Sequence, residues 1–99
     1  MEKLALLARL EAKPGKEKEV ENFLKSALPL AEEETKTNTC FGLKLGPSTF
    51  GIFDTFEDED GQSAHLNGKI AEALNGKADE LLANPPRIEK VDLLAVKMP

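Results

Sequence analysis

Two stretches near opposite ends of this sequence are apolar on both sides of the chain, and that constrains the fold more than any other feature. Successive side chains of a β-strand point to opposite faces. A sheet with helices on one face and water on the other therefore alternates apolar with polar along each strand. Residues 4–11 do not: Leu4, Leu6, Ala8 and Leu10 point one way, while Ala5 and Leu7 point the other. Near the end, Val91, Leu93 and Ala95 are opposed by Leu94, Val96 and Met98. In the middle, Phe50, Ile52 and Phe56 are opposed by Phe53.

Between these strands the pattern changes to a helical period. Pro14-Gly15 punctuates the chain, after which Val20, Phe23, Leu24, Ala27, Leu30 and Ala31 recur at helical spacing. Pro29 lies inside that pattern, where it removes a backbone hydrogen bond and crowds the preceding turn, so a kink or break is expected. Thr39–Leu45 and Thr49–Phe56, separated by Gly46-Pro47-Ser48, read as a hairpin. The acidic run Glu57-Asp58-Glu59-Asp60 suits a helix N-terminus, where the helix dipole favours negative charge. A second helical region follows, apolar at Ala64, Ile70, Ala71, Leu74, Ala78, Leu81 and Leu82, with Gly68 and Gly76 expected to segment it. Asn84-Pro85-Pro86 stops it, and residues 88–98 read as the last strand.

The order is β-α-β-β-α-β. With right-handed crossovers it predicts one α+β domain over residues 1–99, with a ferredoxin-like antiparallel sheet and both helices on one face. Two helices cannot cover two apolar faces. Burying one large aliphatic side chain contributes about 1.5–3 kcal/mol, so a wet apolar face is a large liability. An identical face from a second copy would shelter it under two-fold symmetry, which predicts a homodimer.

Charge and cysteine usage narrow the partners. The 99-residue chain has a formal net charge of −5 and no Lys/Arg cluster, so nothing in it answers a phosphate backbone or an anionic bilayer. Nucleic acid and membrane are not expected as partners. No apolar run approaches the roughly 20 residues that span a bilayer. The first residues read as a strand, not a signal peptide, because Arg9 and Glu11 follow only a short apolar stretch. Cys40 is the single cysteine, so no intrachain disulfide can form and a cytoplasmic location is the default expectation.

Phe50-Gly51-Ile52-Phe53-Asp54-Thr55-Phe56 leading to Ala64-His65-Leu66-Asn67-Gly68, with the element order and the early Pro-Gly, resembles the antibiotic biosynthesis monooxygenase family. The resemblance covers essentially the whole chain. It implies a dimeric α+β barrel, in which two ferredoxin-like sheets face each other. It also implies oxygenation of an electron-rich aromatic or quinol-like molecule without metal or flavin, the substrate carbanion itself reducing dioxygen. Such a site needs a dry pocket between sheet and helices and a group that moves protons or steadies an oxyanion. The chain has no Trp and no Tyr. Lack of Trp, and of Asn in the first strand, sets it apart from the haem-degrading branch of that superfamily, and lack of Tyr removes a polar aromatic used by some polyketide-modifying members.

His65, the only histidine, is the candidate catalytic group, since its ordinary pKa suits proton transfer near neutrality; the alternative is a histidine that merely packs or caps a helix. Asn67 is a candidate hydrogen-bond donor to a substrate oxygen, or else a helix-end residue before Gly68. Arg9 can hold an anionic oxygen, but paired with Asp54 or Glu11 it would be structural. Phe53, with Phe41, Phe50 and Phe56, lines either an aromatic pocket or the core. Cys40 has no base nearby in sequence, and a buried thiol is commonly inert. The acidic run lacks the ligand spacing of a calcium loop, and one His with one Cys makes no transition-metal site. Two functions remain open: a cofactor-independent monooxygenase with His65 as proton-transfer group, and a non-catalytic small-molecule binder or accessory dimer.

Overall fold

The computed structural model describes residues 2–98. Its elements run β1 (Leu4–Glu11), α1 (Glu17–Ser26), α2 (Leu28–Glu32), β2 (Thr39–Lys44), β3 (Thr49–Phe56), α3 (Glu59–Leu66), α4 (Lys69–Leu81) and β4 (Arg87–Asp92). The strands form one antiparallel sheet in the order β2-β3-β1-β4. This is the ferredoxin-like α+β arrangement expected from the sequence. No helix among the described residues is long and apolar enough to cross a membrane.

Both helical regions are divided. Pro29 falls in the first turn of α2, where its missing N–H removes no helix bond, and the chain breaks at Ala27 just before it. The second region breaks at Gly68, the N-cap of α4, but α4 runs unbroken through Gly76. A glycine inside a helix costs only about 1 kcal/mol, and Leu74 and Leu81, both buried, hold α4 on the sheet across that point.

The last strand is shorter than its pattern suggests. β4 ends at Asp92, which pairs with Leu4, the first residue of β1. Leu93 N still donates to Lys3 O at 2.9 Å, and residues 94–98 lie beyond any strand. The alternation of residues 93–98 is real, but this chain offers those residues no further partner strand.

Residues opposite each other in a ladder share a face. Leu6, Ala8 and Leu10 thus join Phe50, Ile52 and Phe56 on the helix side, where the core also includes Val20, Ala31, Ile70, Leu74 and Leu81. On the other side the register sets Phe41, Phe53 and Leu7 in a row across β2, β3 and β1. Phe41 is 52% exposed there, while Phe53 and Leu7 are half-buried. Leu94 is 96% exposed.

Because Leu10 is fully enclosed, Leu10→Ala should destabilise the fold by about 2–5 kcal/mol. The exposed Glu19→Ala should stay within about 0.5 kcal/mol. Urea unfolding followed by circular dichroism measures both.

Candidate functional site

Asp54 is the one acid among the inward-facing residues of β3, between Ile52 and Phe56, and it is 2% exposed. A carboxylate buried this deeply needs a partner. The partner comes from α3. Asp58 caps that helix by accepting from Gly61 N at 3.0 Å, and its last turn delivers His65 inward. Gly61 lets α3 come close: a Cβ there would lie 2.9 Å from Lys36 O and 3.3 Å from the Phe56 Cβ. Gln62 Nε2 then ties the helix to β1 by donating to Ala5 O at 3.0 Å.

His65 is bracketed by two carboxylates. Its Nε2 lies 2.7 Å from Asp54 Oδ2, and its Nδ1 lies 2.6 Å from Glu34 Oε1, just after α2. Thr37 Oγ1 also donates to Glu34 Oε1, at 2.7 Å. The Phe56 ring packs at 5.5 Å from the imidazole. Burial lowers the pKa of His65, but the hydrogen bonds it donates to Asp54 and Glu34, and the charges of those carboxylates, prevail and raise it to about 9. The end of α3 also favours a cation there. At neutral pH the ring is an imidazolium with both N–H groups engaged. It fixes charge and geometry and offers no free nitrogen as a base.

Two carboxylate oxygens of this cluster, Asp54 Oδ1 and Glu34 Oε2, are buried with no hydrogen-bond partner among the described residues. Cys40 lies opposite Asp54 in the β2–β3 register. Burial, and then the hydrogen bond and charge of Asp54, push its thiol up to about 12. That contact is a weak one, since a thiol is a poor donor. Among the described residues no three His, Cys, Asp or Glu side chains are grouped to hold a metal ion.

A cavity of about 70 Å³ adjoins the cluster, between the sheet and α4. Asp54 and His65 line it together with Leu6, Ile52, Ile70 and Leu74, and the exposed Asn75 and Ile88 mark its way out. A larger cleft of about 640 Å³ lies between α1 and β2, with Leu24, Leu28, Cys40 and Phe41 in its wall and Lys25 and Lys44 beside them. Ile52 and Ile70 line both spaces.

Of the four residues singled out from sequence, His65 alone lines the inner cavity. Asn67 is the exposed C-cap of α3, its Nδ2 donating to Ser63 O at 3.0 Å. Arg9 lies on the outer face, exposed, with Nε 3.9 Å from Glu89. It pairs with neither Asp54, which is on the opposite face, nor Glu11, which accepts from Ser48 and Thr49. Phe53 is also on the outer face, Phe50 lines the larger cleft, and Phe41, on the edge strand β2, is on the outer face and borders that cleft as well. Sequence reasoning missed Asp54 and Glu34 as partners of His65. Asp54 had a visible signal, an acid in register with Phe50, Ile52 and Phe56. Glu34 had none, being one of three consecutive glutamates.

The raised pKa sets a pH dependence. His65 titrates near 6.5 when unfolded and near 9 when folded. Its stabilising contribution is therefore complete below about 6.5 and is lost as pH rises through about 9. The urea midpoint should fall across that window, and His65→Gln should remove the slope. An NMR titration of the imidazole should show the midpoint near 9.

No protein-family profile matches the chain, and no curated protein does. Among solved structures, NE2512 of Nitrosomonas europaea, a protein of unknown function, is 62% identical. The match covers 100% of this chain and 96% of that one, with a TM-score of 0.97. A second Nitrosomonas europaea protein, provisionally described as an antibiotic biosynthesis monooxygenase, is 12% identical, with a TM-score of 0.80 over 92% of this chain and 89% of its own. One from Caulobacter crescentus CB15, described in the same way, is 18% identical, with a TM-score of 0.77 over 95% and 92%. At those identities the likeness is of fold alone. Identity at nearly two residues in three along the full length is another matter, and by it the chain belongs to the family of NE2512.

Proposed function

We propose that this protein is a homodimer that takes up a small aromatic or quinol-like molecule and oxygenates it without a metal or flavin. The observation that carries this reading is the Asp54–His65 pair at the wall of a largely apolar cavity between sheet and helices. A carboxylate held by an imidazolium at the wall of an apolar cavity favours drawing a proton from the substrate, the step that prepares a carbanion to reduce dioxygen. The fold shared with proteins provisionally described as antibiotic biosynthesis monooxygenases supports the same class of chemistry.

A second reading is favoured by two features of the site. Both His65 nitrogens are engaged, and the inner cavity is small beside the cleft between α1 and β2. On that reading the protein binds a small molecule in the larger cleft and does no chemistry on it. Oxygen uptake separates the two. Metal-stripped protein given anthrone- or naphthoquinol-type substrates should consume oxygen, and His65→Ala should lower the rate at least tenfold. No uptake across the panel favours the binder.

The homodimer rests on the outer row of Phe41, Phe53 and Leu7, which no helix of this chain covers. Light scattering at micromolar concentration should give twice the chain mass. Phe53→Glu should yield a folded monomer, because it puts an unpaired charge into an apolar interface. A monomeric wild-type protein would overturn the dimer.

A further inference from the structure

The cleft between α1 and β2 joins an apolar floor to an uncompensated cation. Phe50, Ile52 and Ile70 form the floor, and all three are buried. Leu24 is half-buried in one side, and Leu28 and Phe41 stand exposed at the rim. Gly42 makes the room. It lies opposite Ile52 on the helix side of β2, and a Cβ there would sit 3.6 Å from the Leu24 Cβ. Any larger side chain would reach into the space between strand and helix. The resulting volume, about 640 Å³, is that of a small-molecule site.

Charge is distributed unevenly around this cleft. On the α1 side, Glu21 and Lys25 answer each other: Lys25 Nζ lies 3.3 Å from Glu21 Oε2, and Lys18 Nζ holds the same oxygen at 3.2 Å. On the β2 side, Lys44 makes no ion pair among the described residues. Lys44 lies opposite Phe50 in the register, so it leaves the edge strand on the helix side. Its Nζ sits 5.9 Å from the centre of the Phe50 ring, which is itself part of the cleft wall. An inward lysine on an edge strand also deters pairing with a foreign strand. That duty asks for no apolar hollow beside it.

We propose that this cleft binds an aliphatic monocarboxylate, with its chain against Leu24, Ile52 and Ile70 and its carboxylate on Lys44 Nζ. The assignment rests on the larger cleft being the small-molecule site, and it names the class of ligand. A wall rich in Leu and Ile matches a saturated chain. One ammonium without a counter-charge matches one negative charge. The protein carries a net charge of −5 and repels anions at long range, so the choice of an anion is local to Lys44.

Calorimetric titration with octanoate, 1-octanol and octylamine tests this, with methyl NMR of Leu24 and Ile70 locating the bound chain. Octanoate should bind at least tenfold more tightly than the alcohol, and the amine more weakly than either. Hexanoate should bind about fifteenfold more weakly than octanoate, through loss of two buried methylenes. Lys44→Gln should bring octanoate to the level of the alcohol and leave the alcohol unchanged. Gly42→Val should weaken both at least tenfold by filling the gap. Should the glycine variant not fold, Lys44→Gln decides, because Lys44 is exposed and its replacement spares the core. Equal binding of octanoate and octanol at the cleft would overturn the carboxylate assignment and leave a binder there. An octanoate affinity unchanged in Lys44→Gln would do the same. Binding of no probe would overturn both the proposal and the binder reading, and contacts between chains at Leu24 would then give the cleft to a second copy.

Discussion

A charge set against an apolar sheet has to be answered by other parts of the chain, and Asp54 imposes that demand on this fold. The answer draws on three elements: β3 supplies the carboxylate, α3 the imidazolium and the segment after α2 a second carboxylate. Much of the local geometry follows. Gly61 brings α3 close to Lys36, and Gln62 fastens the same helix to the backbone of β1. Taking one member out of such a buried group costs about 3–5 kcal/mol, whereas replacing the whole group with well-packed apolar side chains is often neutral or stabilising. Stability alone thus gives no reason to place three ionisable groups there.

The fold was largely legible in the sequence because binary pattern and punctuation agree. Period-two and helical stretches alternate cleanly, and Pro14-Gly15, Gly46-Pro47 and Pro85-Pro86 fall between elements. Misreadings arose where a local pattern lacked its tertiary counterpart. Residues 93–98 alternate like a strand, yet the register with β1 runs out at Leu4. Gly76 looked like a break, yet packing on either side carried the helix through it.

The site was legible only in its centre. His65 stood out because it is unique, but its environment depends on residues 31 and 11 positions away in sequence. Asn67 sits two residues further along the same helix end and still points elsewhere, since neighbours two apart do not share a helical face. Arg9 and Phe53 have the chemistry to touch a ligand, but the side of the sheet each occupies decides where it can act. Counting from Leu10 and Phe50, both of which face the helices, places them on the other side. The pleat alone separates Phe53 from Asp54, its neighbour in the chain.

Cys40 carries a practical consequence of lying beside Asp54. With its thiol pushed up to about 12, very little of it is thiolate at neutral pH, and the thiolate is the reacting form. Maleimides and iodoacetamide should therefore label the native protein slowly.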